Sequence, residues 1–439
     1  MSESDAEKKQ MTRSTTRMQQ ISTSIYRKYK LSVLYASLTI PVGIILIFFD
    51  KAPSRNDFLD HWNRAEQIAA GQFTAIPDPS GTGNYGAINK DGVFEAFNNT
   101  AINSPFTYFP SVFGGGHLRI SCLLTLLFST LFVCIAISLA KQYDTIIFGI
   151  AILPIFFLSS IYPTADAITN SISLLWVAFI LYLYQQEKLS WHNILATCLL
   201  ALFLGQIKMT CIILILLIAL PMIRQYQLNH KIDYRFVIPV IISLSSAICW
   251  MQATKNVPPS AVSTVEQYKE AKLTVLHHPG EILKSLGISL INPLDLTNDK
   301  HDTGRNIQFF TGAEYTQLPF AVMMPILFAV VLLVLYRNKN LPEFHIAEIT
   351  ATAAIIILFY TLTCTGLIVS WGGVALGSYA SGLQSRYFIP IYALVCLLIP
   401  NLGILVIDRK KIRIFISALI GWSYSGLLLA HLFVFPWQL

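Results

Sequence analysis

Long apolar runs alternate with short polar segments along almost the whole chain. An apolar run of about 20 residues is long enough to cross the hydrocarbon core of a bilayer as a helix. The pattern predicts roughly eleven membrane-spanning helices, with boundaries good to a few residues, at 29–49, 119–140, 144–159, 168–186, 192–206, 209–224, 234–252, 317–336, 344–371, 387–407 and 412–435. The fifth and sixth spans come from one run that Gly205, Gln206 and Lys208 interrupt. We therefore expect an all-α, polytopic transmembrane protein with a single transmembrane domain over residues 29–439.

Two polar segments are much longer than the others. Segment 50–118 follows the first span and is rich in aromatic residues, which is enough apolar mass for a partly folded outer loop. Segment 253–316 precedes the eighth span and contains the stretches "STVEQYKEAKLTVLHH" and "PGEILKSLGISLI". Both stretches predict short amphipathic helices that lie on the membrane surface, and Pro279 suits the first turn of the second one.

The composition agrees with a membrane protein. Of the 439 residues 54% are hydrophobic and only 13% are charged, whereas a soluble domain is about one quarter charged. The net charge of +7 does not indicate nucleic-acid binding, because lysine and arginine are concentrated in the polar tail 1–28 and just after it. All seven cysteines lie inside apolar runs, which favours buried thiols over disulfides or metal ligands.

The basic residues also predict the orientation. Cytoplasmic loops carry an excess of lysine and arginine. If the basic tail 1–28 is cytoplasmic, every short loop on that side contains Lys or Arg, as in "KQYD" at 141 and "DRKKIR" at 408. The long segments 50–118 and 253–316 then lie on the outer side of a bacterial inner membrane.

Charged and polar residues collect at the outer ends of the predicted spans. They are Asp57, Asp60, His61, Arg64, Asp166, Lys208 and Arg386. Ionisable residues inside or at the ends of membrane spans are candidates for function, since they are costly to insert. Carboxylates beside cations suit transfer of a group from a phosphate-linked lipid. The carboxylate would accept a proton from the attacking hydroxyl, and the cations would stabilise the departing phosphate.

Each of these residues also has a structural alternative. Asp57 and Asp60 could cap the helix that begins in "LDHWNRAEQIAA", and Asp166 could cap the fourth span. His61 could serve in packing or orientation. Lys208 could extend to the lipid headgroups, and Arg386 could anchor the membrane edge.

Short motifs in a fixed order resemble a large bacterial family of polytopic membrane proteins of formerly unknown function. That family is grouped with the C-type (GT-C) glycosyltransferases, which use polyprenyl-phosphate sugars. The motifs are "DFLDHWNRAEQIAAGQF" from Asp57, "NSPFTYFP" from Asn103, "SSIYPTADAIT" from Ser159, Lys208, the set Gln267, His278 and Pro279, and "QSRYFIP" from Gln384. The family often has a second acid beside the first, where this chain has Phe58. The resemblance therefore leaves open whether the base is Asp57 or Asp60.

The resemblance implies an inverting glycosyltransferase similar to those that modify O-antigen. A sugar, glucose or another hexose, would move from undecaprenyl phosphate to a cell-surface glycan such as lipopolysaccharide O-antigen. Asp57 or Asp60 would be catalytic, and the residues that bind substrate would be His61, Arg64, Asp166, Lys208, Gln384, Arg386 and Tyr387. No cofactor and no metal site are indicated; the resemblance implies a transfer that is independent of metal or depends weakly on a divalent metal. The partners would be membrane lipids and the proteins that make and flip the donor.

Two other functional classes compete with this hypothesis. A lipid or glycan transporter, or flippase, would show helix breaks near the bilayer midplane and an internal repeat. Another outward-facing transferase, for acyl or phosphoethanolamine groups, would use the same polar end of the molecule.

Overall fold

The computed structural model describes residues 29–49, 58–258, 264–291, 318–335, 344–373, 376–399 and 409–434. These residues form sixteen α-helices and one small sheet. The helices are α1 Tyr29–Phe49, α2 Phe58–Ala69, α3 Phe109–Val112, α4 Leu118–Ala140, α5 Asp144–Ala151, α6 Pro154–Ser159, α7 Ala165–Tyr184, α8 Trp191–Leu204, α9 Ala219–Asn229, α10 Val237–Ala253, α11 Val265–His277, α12 Pro279–Ile291, α13 Phe320–Leu335, α14 Ile346–Ser370, α15 Ile389–Leu398 and α16 Arg409–Leu429. Shorter 3-10 segments are Pro105–Tyr108, Lys141–Tyr143, Met209–Ile218, Tyr234–Phe236 and Ser385–Phe388, and a π-helical turn covers Ala430–Val434.

Seven helical stretches are long and apolar enough to cross a membrane. Within the described ranges they are Tyr29–Phe49, Leu118–Ala151, Ala165–Tyr184, Met209–Asn229, Tyr234–Ala253, Ile346–Ser370 and Lys411–Phe433. Shorter apolar helices cover Trp191–Leu204, Ala321–Leu335 and Ser385–Leu398. The protein is therefore a polytopic helical membrane protein, as predicted. The count of eleven spans stays a prediction.

Helix α7 is the centre of the bundle. Of its 20 residues only Tyr182 is not buried. It packs closely on α4, where Ser171 Oγ donates to Ser129 Oγ at 3.0 Å and Ser129 Oγ donates to the Ala167 carbonyl at 3.2 Å. Small hydroxyl residues let two helices approach and also bind across the interface in an apolar medium. The same helix carries a candidate site residue, Asp166, in its first turn.

One predicted span and one longer apolar run are interrupted. The predicted span 144–159 is two short helices, α5 and α6, that meet at Pro154 in the first turn of α6. Proline has no N–H to donate. At the same break the Ile152 carbonyl accepts from Tyr424 Oη at 3.1 Å. The predicted break in 192–224 is present: α8 ends at Leu204, and Gly205 follows it. A side chain at Gly205 would meet the Ser243 carbonyl at 2.4 Å, so only glycine lets α8 and α10 come this close.

The segment between α2 and α4 corrects the prediction of an all-α fold. Strands β1 Ile76–Pro77, β2 Tyr85–Ile88 and β3 Phe94–Ala96 form an antiparallel sheet in the order β1-β2-β3. Phe97 and Ala101 pack with residues of this sheet in a small separate core. The strands are two to four residues long, which is too short for an alternating pattern to identify them.

Both predicted amphipathic helices of the second long segment are present as α11 and α12. A capping box between Thr264 and Gln267 begins α11. Helix α12 contacts α14 and leaves Leu283, Leu290 and Ile291 more than half exposed. Their position on the membrane surface stays a prediction.

Candidate functional site

The candidate site lies at the N-terminal end of α7. Helix α2 and the 3-10 segment Pro105–Tyr108 pack against each other there, and the 3-10 segment also contacts α7. The turn after α8 and the segment Ser385–Phe388 bring a lysine and an arginine to the same end. Five stretches that are far apart in the sequence thus meet around one carboxylate.

Asp166 is held between two cations. Lys208 Nζ forms an ion pair with Oδ1 of Asp166, and Arg386 Nε lies 3.1 Å from Oδ2. The side chains of Asp166 and Arg386 are 2% and 3% exposed, but that of Lys208 is 23% exposed. Two positive charges against one negative charge leave the cluster with one net positive charge, and it is accessible through Lys208. Ion pairs are costly to bury without close partners, so this arrangement requires all three residues.

An aromatic ring and an amide complete the charged side of the site. The ring centroid of Tyr387 lies 4.6 Å from Lys208 Nζ and 5.5 Å from Arg386 Cζ, within the range of cation–π attraction. Gln384 begins the same 3-10 segment, and its Oε1 is buried without a hydrogen bond from the described residues. Tyr387 is therefore placed beside the two cations, and Gln384 lies two residues before Arg386 in the chain.

The turn that carries Lys208 is fixed by Gln206. Its Oε1 accepts from Ser104 Oγ at 2.8 Å, and its Nε2 donates to the carbonyl and the hydroxyl of Ser246, each at 2.8 Å. The amide thus joins the start of Pro105–Tyr108 to α10. These hydrogen bonds position the chain two residues before Lys208, the residue that pairs with Asp166.

His61 sits on α2 beside this cluster and is neutral. Its Nδ1 lies 2.6 Å from Tyr108 Oη and 3.4 Å from the backbone N of Ala165. Burial lowers the pKa of His61 to about 3; the Asp166 carboxylate opposes the shift, and the charges of Arg386 and Lys208 add to it. An imidazole with this pKa offers a hydrogen bond, not a positive charge, to a ligand at neutral pH.

Two residues of the His61 environment were not predicted from the sequence. Tyr108 is buried and receives a hydrogen bond from Asn103 Nδ2 at 3.0 Å on its hydroxyl. Burial raises the pKa of Tyr108, and the charges of Asp166 and Asp60 raise it further. Both residues belong to "NSPFTYFP", so the motif was the available signal, although an aromatic run alone indicates packing.

Of the two candidate bases, Asp57 and Asp60, the structure describes only Asp60. Asp57 lies outside the described residues. Asp60 is partly buried in the first turn of α2, and its backbone carbonyl accepts from Thr100 Oγ1 at 2.9 Å. Asp60 precedes His61 on α2, and the His61 ring lies 3.4 Å from the backbone N of Ala165, so Asp60 lies at the same end of the molecule as Asp166.

The guanidinium of Arg64 forms its hydrogen bonds within the protein. Arg64 is completely buried, and its guanidinium donates to Gln67, to the Phe73 carbonyl at 2.6 Å and to the Asn103 carbonyl at 3.0 Å. Burial lowers its pKa to about 10, so it stays protonated at neutral pH. The predicted contact of Arg64 with substrate stays a prediction; in this structure its guanidinium joins α2 to the loops at Phe73 and Asn103.

Metal ligands do not gather among the residues that the structure describes. Among the described residues, no group of three or more His, Cys, Asp or Glu side chains could hold a metal ion. The described side chains at this end of the molecule are a carboxylate, two cations and a neutral imidazole.

Comparison with known proteins gives one match. A family model described as "Predicted membrane protein (DUF2142)" matches residues 84–395, which is more than half of the chain and includes Asp166, Lys208 and Arg386. Neither the curated proteins nor the solved structures that were compared with the chain gave a match.

Proposed function

Because the chain belongs to the DUF2142 family of predicted membrane proteins, whose description states no activity, we propose its function from the site. The protein transfers a sugar from a polyprenyl phosphate to a glycan, as an inverting glycosyltransferase of the GT-C type. The observation that carries this proposal is the cluster of Lys208, Asp166 and Arg386, which has one net positive charge and is partly accessible. The chain has about eleven spans in a bacterial inner membrane, with a cytoplasmic N-terminus and the site on the outer side.

The charge of the cluster matches the charge of the donor. A sugar linked to a polyprenyl phosphate carries one phosphodiester, with one negative charge, and this would neutralise the site. Arginine offers a planar pair of donors that fits phosphate oxygens, and lysine adds a mobile point charge. The partial exposure of Lys208 lets its ammonium turn from Asp166 toward a phosphate, while Arg386 stays in place.

The reaction is a single displacement at the anomeric carbon. A bond forms between the acceptor hydroxyl oxygen and the anomeric carbon as the bond from that carbon to the phosphate oxygen breaks. A carboxylate accepts the hydroxyl proton, which typically contributes about 10²–10⁴-fold. Asp60 or Asp57 takes this role, and the electron pair of the broken bond leaves on the polyprenyl phosphate beside Lys208 and Arg386.

The biological setting follows from the same proposal. The sugar is glucose or another hexose on undecaprenyl phosphate, and the acceptor is a surface glycan such as O-antigen. The chain has no use for a nucleotide sugar here, so other proteins must synthesise the donor and flip it to the outer leaflet. No cofactor is part of the proposed reaction.

The test is a transfer assay with the full-length protein in liposomes. Polyprenyl-phosphate hexose is supplied with a glycan acceptor, and released polyprenyl phosphate and the mass of the glycan are measured. We expect release that depends on the acceptor. Donor movement between leaflets without a glycan product would favour a transporter and contradict the proposal.

Variants of Arg386 connect the activity to the site. Removal of one group that stabilises developing charge typically costs about 10²–10³-fold in rate, and we expect a loss of this size in kcat/KM for Arg386→Ala. Arg386→Lys keeps a positive charge opposite Asp166. It therefore controls for the possibility that Arg386→Ala loses activity because the protein misfolds. Arg235→Ala is the matched control, because Arg235 is ion-paired with Asp233 in the turn before α10. Equal rates for wild type and both Arg386 variants would refute the role of this cation.

A further inference from the structure

The hydrogen bonds of His61 identify which of its ring nitrogens carries the proton. Two groups approach Nδ1: the hydroxyl of Tyr108 at 2.6 Å and the backbone N–H of Ala165 at 3.4 Å. A backbone N–H can only donate, so Nδ1 must present its lone pair to Ala165. The Tyr108 hydroxyl must then donate to the same nitrogen, since an acceptor without a proton cannot donate in return.

Asn103 sets the direction of the Tyr108 hydroxyl. Its amide Nδ2 donates to Tyr108 Oη at 3.0 Å. A phenol oxygen that accepts from Asn103 is free to donate its own proton to His61. The chain of hydrogen bonds therefore runs from Asn103 to Tyr108 to Nδ1, and the single ring proton of the neutral imidazole lies on Nε2.

The groups around the His61 ring indicate which ligand its Nε2–H can bind. Asp60 and Arg64 belong to the same helix, Tyr108 belongs to the neighbouring 3-10 segment, and Asp166, Lys208 and Arg386 come from three other segments. The guanidinium of Arg64 is occupied by Gln67, Phe73 and Asn103. The hydrogen bonds of His61 within the described part of the chain all involve Nδ1. The Nε2–H is therefore available to a ligand that also meets Lys208 and Arg386.

We propose that Tyr108 is a positioning residue that holds His61 as the neutral tautomer with its proton on Nε2, so that this N–H donates to the phosphate of the donor. The second half of this statement rests on the proposed function, whereas the tautomer itself does not. Tyr108 acts through His61 and does not touch the substrate. The imidazole adds a neutral donor to a site whose cations already balance the phosphate charge.

Nuclear magnetic resonance of the full-length protein in detergent tests the tautomer directly. Histidine rings are labelled with ¹⁵N, and the spectrum of His61→Gln identifies the His61 signals. We expect the Nε2–H tautomer in wild type between pH 6 and pH 8, and a mixture of tautomers in Tyr108→Phe. A proton on Nδ1 in wild type, or an unchanged ring in Tyr108→Phe, would overturn the proposal.

Addition of polyprenyl phosphate to the same sample tests the ligand. The Nε2–H resonance should shift on binding in wild type, as expected for a stronger hydrogen bond to a charged acceptor. An unshifted resonance, with the tautomer as expected, would disprove the phosphate contact but leave the tautomer assignment intact. Because this measurement requires no sugar transfer, it separates failure of the inference from failure of the proposed function.

Kinetics of a double-mutant cycle separate positioning from a merely structural role. The N–H can donate to the phosphate only in the fraction of molecules with the ring proton on Nε2, so an equal mixture of tautomers in Tyr108→Phe should lower kcat/KM for the donor about twofold. In His61→Gln, the amide supplies an N–H donor that has no tautomer to fix. Tyr108→Phe should therefore have little further effect in that background. Equal losses in both backgrounds would assign Tyr108 to structure only and refute the proposal.

Discussion

His61 makes the folded protein sensitive to acid. Its pKa is about 3 when buried among Tyr108, Asp166, Lys208 and Arg386, and about 6.5 in an unfolded chain. Below pH 6.5 the unfolded state binds a proton that the folded state does not, so the free energy of unfolding decreases as the pH falls toward 3. The stabilising contribution of neutral His61 to the free energy of unfolding is fully present above pH 6.5. Below that pH it decreases by at most about 1.4 kcal/mol for each pH unit.

The expected result is a selective loss of stability in wild type. From pH 8 to pH 5 the free energy of unfolding of wild type should fall by about 2 kcal/mol more than that of His61→Gln. Thermal unfolding midpoints of both purified proteins at the two pH values measure the difference. If the two midpoints move together, the imidazole is not buried in its neutral form.

The charged residues of the site could be found from the sequence, but their contacts could not. Asp166, Lys208 and Arg386 are conspicuous because ionisable residues at span ends are rare and costly. Their pairing around one carboxylate depends on the packing of helices distant in sequence. Arg64 has the same charge and the same predicted role, yet a long side chain can turn toward either a ligand or a loop, and here it binds two loop carbonyls.

Helix α12 supports the segment that carries Arg386. Ser285 Oγ accepts from the backbone N of Gly377 at 2.8 Å, and Ser289 Oγ accepts from the backbone N of Ala380 at 2.9 Å. Both serines are buried. The two hydroxyls, one helical turn apart, thus bind the chain just before the segment Ser385–Phe388.

Removal of these hydroxyls should loosen the site without changing its chemistry. Each buried N–H that loses its partner costs about 1–3 kcal/mol. We expect Ser285→Ala with Ser289→Ala to lower the thermal midpoint and raise KM for the donor, with a smaller change in kcat. Thr274→Ala is the control on α11, because Thr274 Oγ1 donates to the Glu270 carbonyl within an exposed helix. Identical KM values for the double variant and the control would show that α12 does not position Arg386.

Run length predicted the long helices well and the irregular elements badly. A long apolar run specifies a helix because an apolar medium leaves backbone groups no other partner. The same reasoning cannot detect the break at Pro154, where Tyr424 comes from a distant helix to bind a backbone carbonyl. It also cannot distinguish the 3-10 segment Met209–Ile218 from an α-helix, because both are uniformly apolar.

For the whole molecule, the hydrophobic pattern established a polytopic membrane protein, and the distribution of basic residues provided a hypothesis for its orientation. Helix α7 connects the two ends of the protein in the structure. Its 20 residues at 1.5 Å each give about 30 Å, which is the thickness of the hydrocarbon core. If α7 spans the membrane, we expect Asp166 and the loop after Tyr184 to lie at opposite membrane faces, and one measurement of sidedness then assigns the site to a face.

Cysteine labelling can make that assignment. Asp91 lies in the exposed turn between β2 and β3, and Lys188 lies in the exposed loop between α7 and α8. In a Cys249→Ser parent, which removes the exposed native thiol, a membrane-impermeant maleimide should label Asp91→Cys in right-side-out vesicles. It should label Lys188→Cys only in inside-out vesicles, because the short basic loops are predicted to be cytoplasmic. The reverse pattern would place Lys208 and Arg386 at the cytoplasmic face. A donor in the outer leaflet could not reach Lys208 and Arg386 at that face. That result would exclude the proposed reaction at the outer side of the membrane.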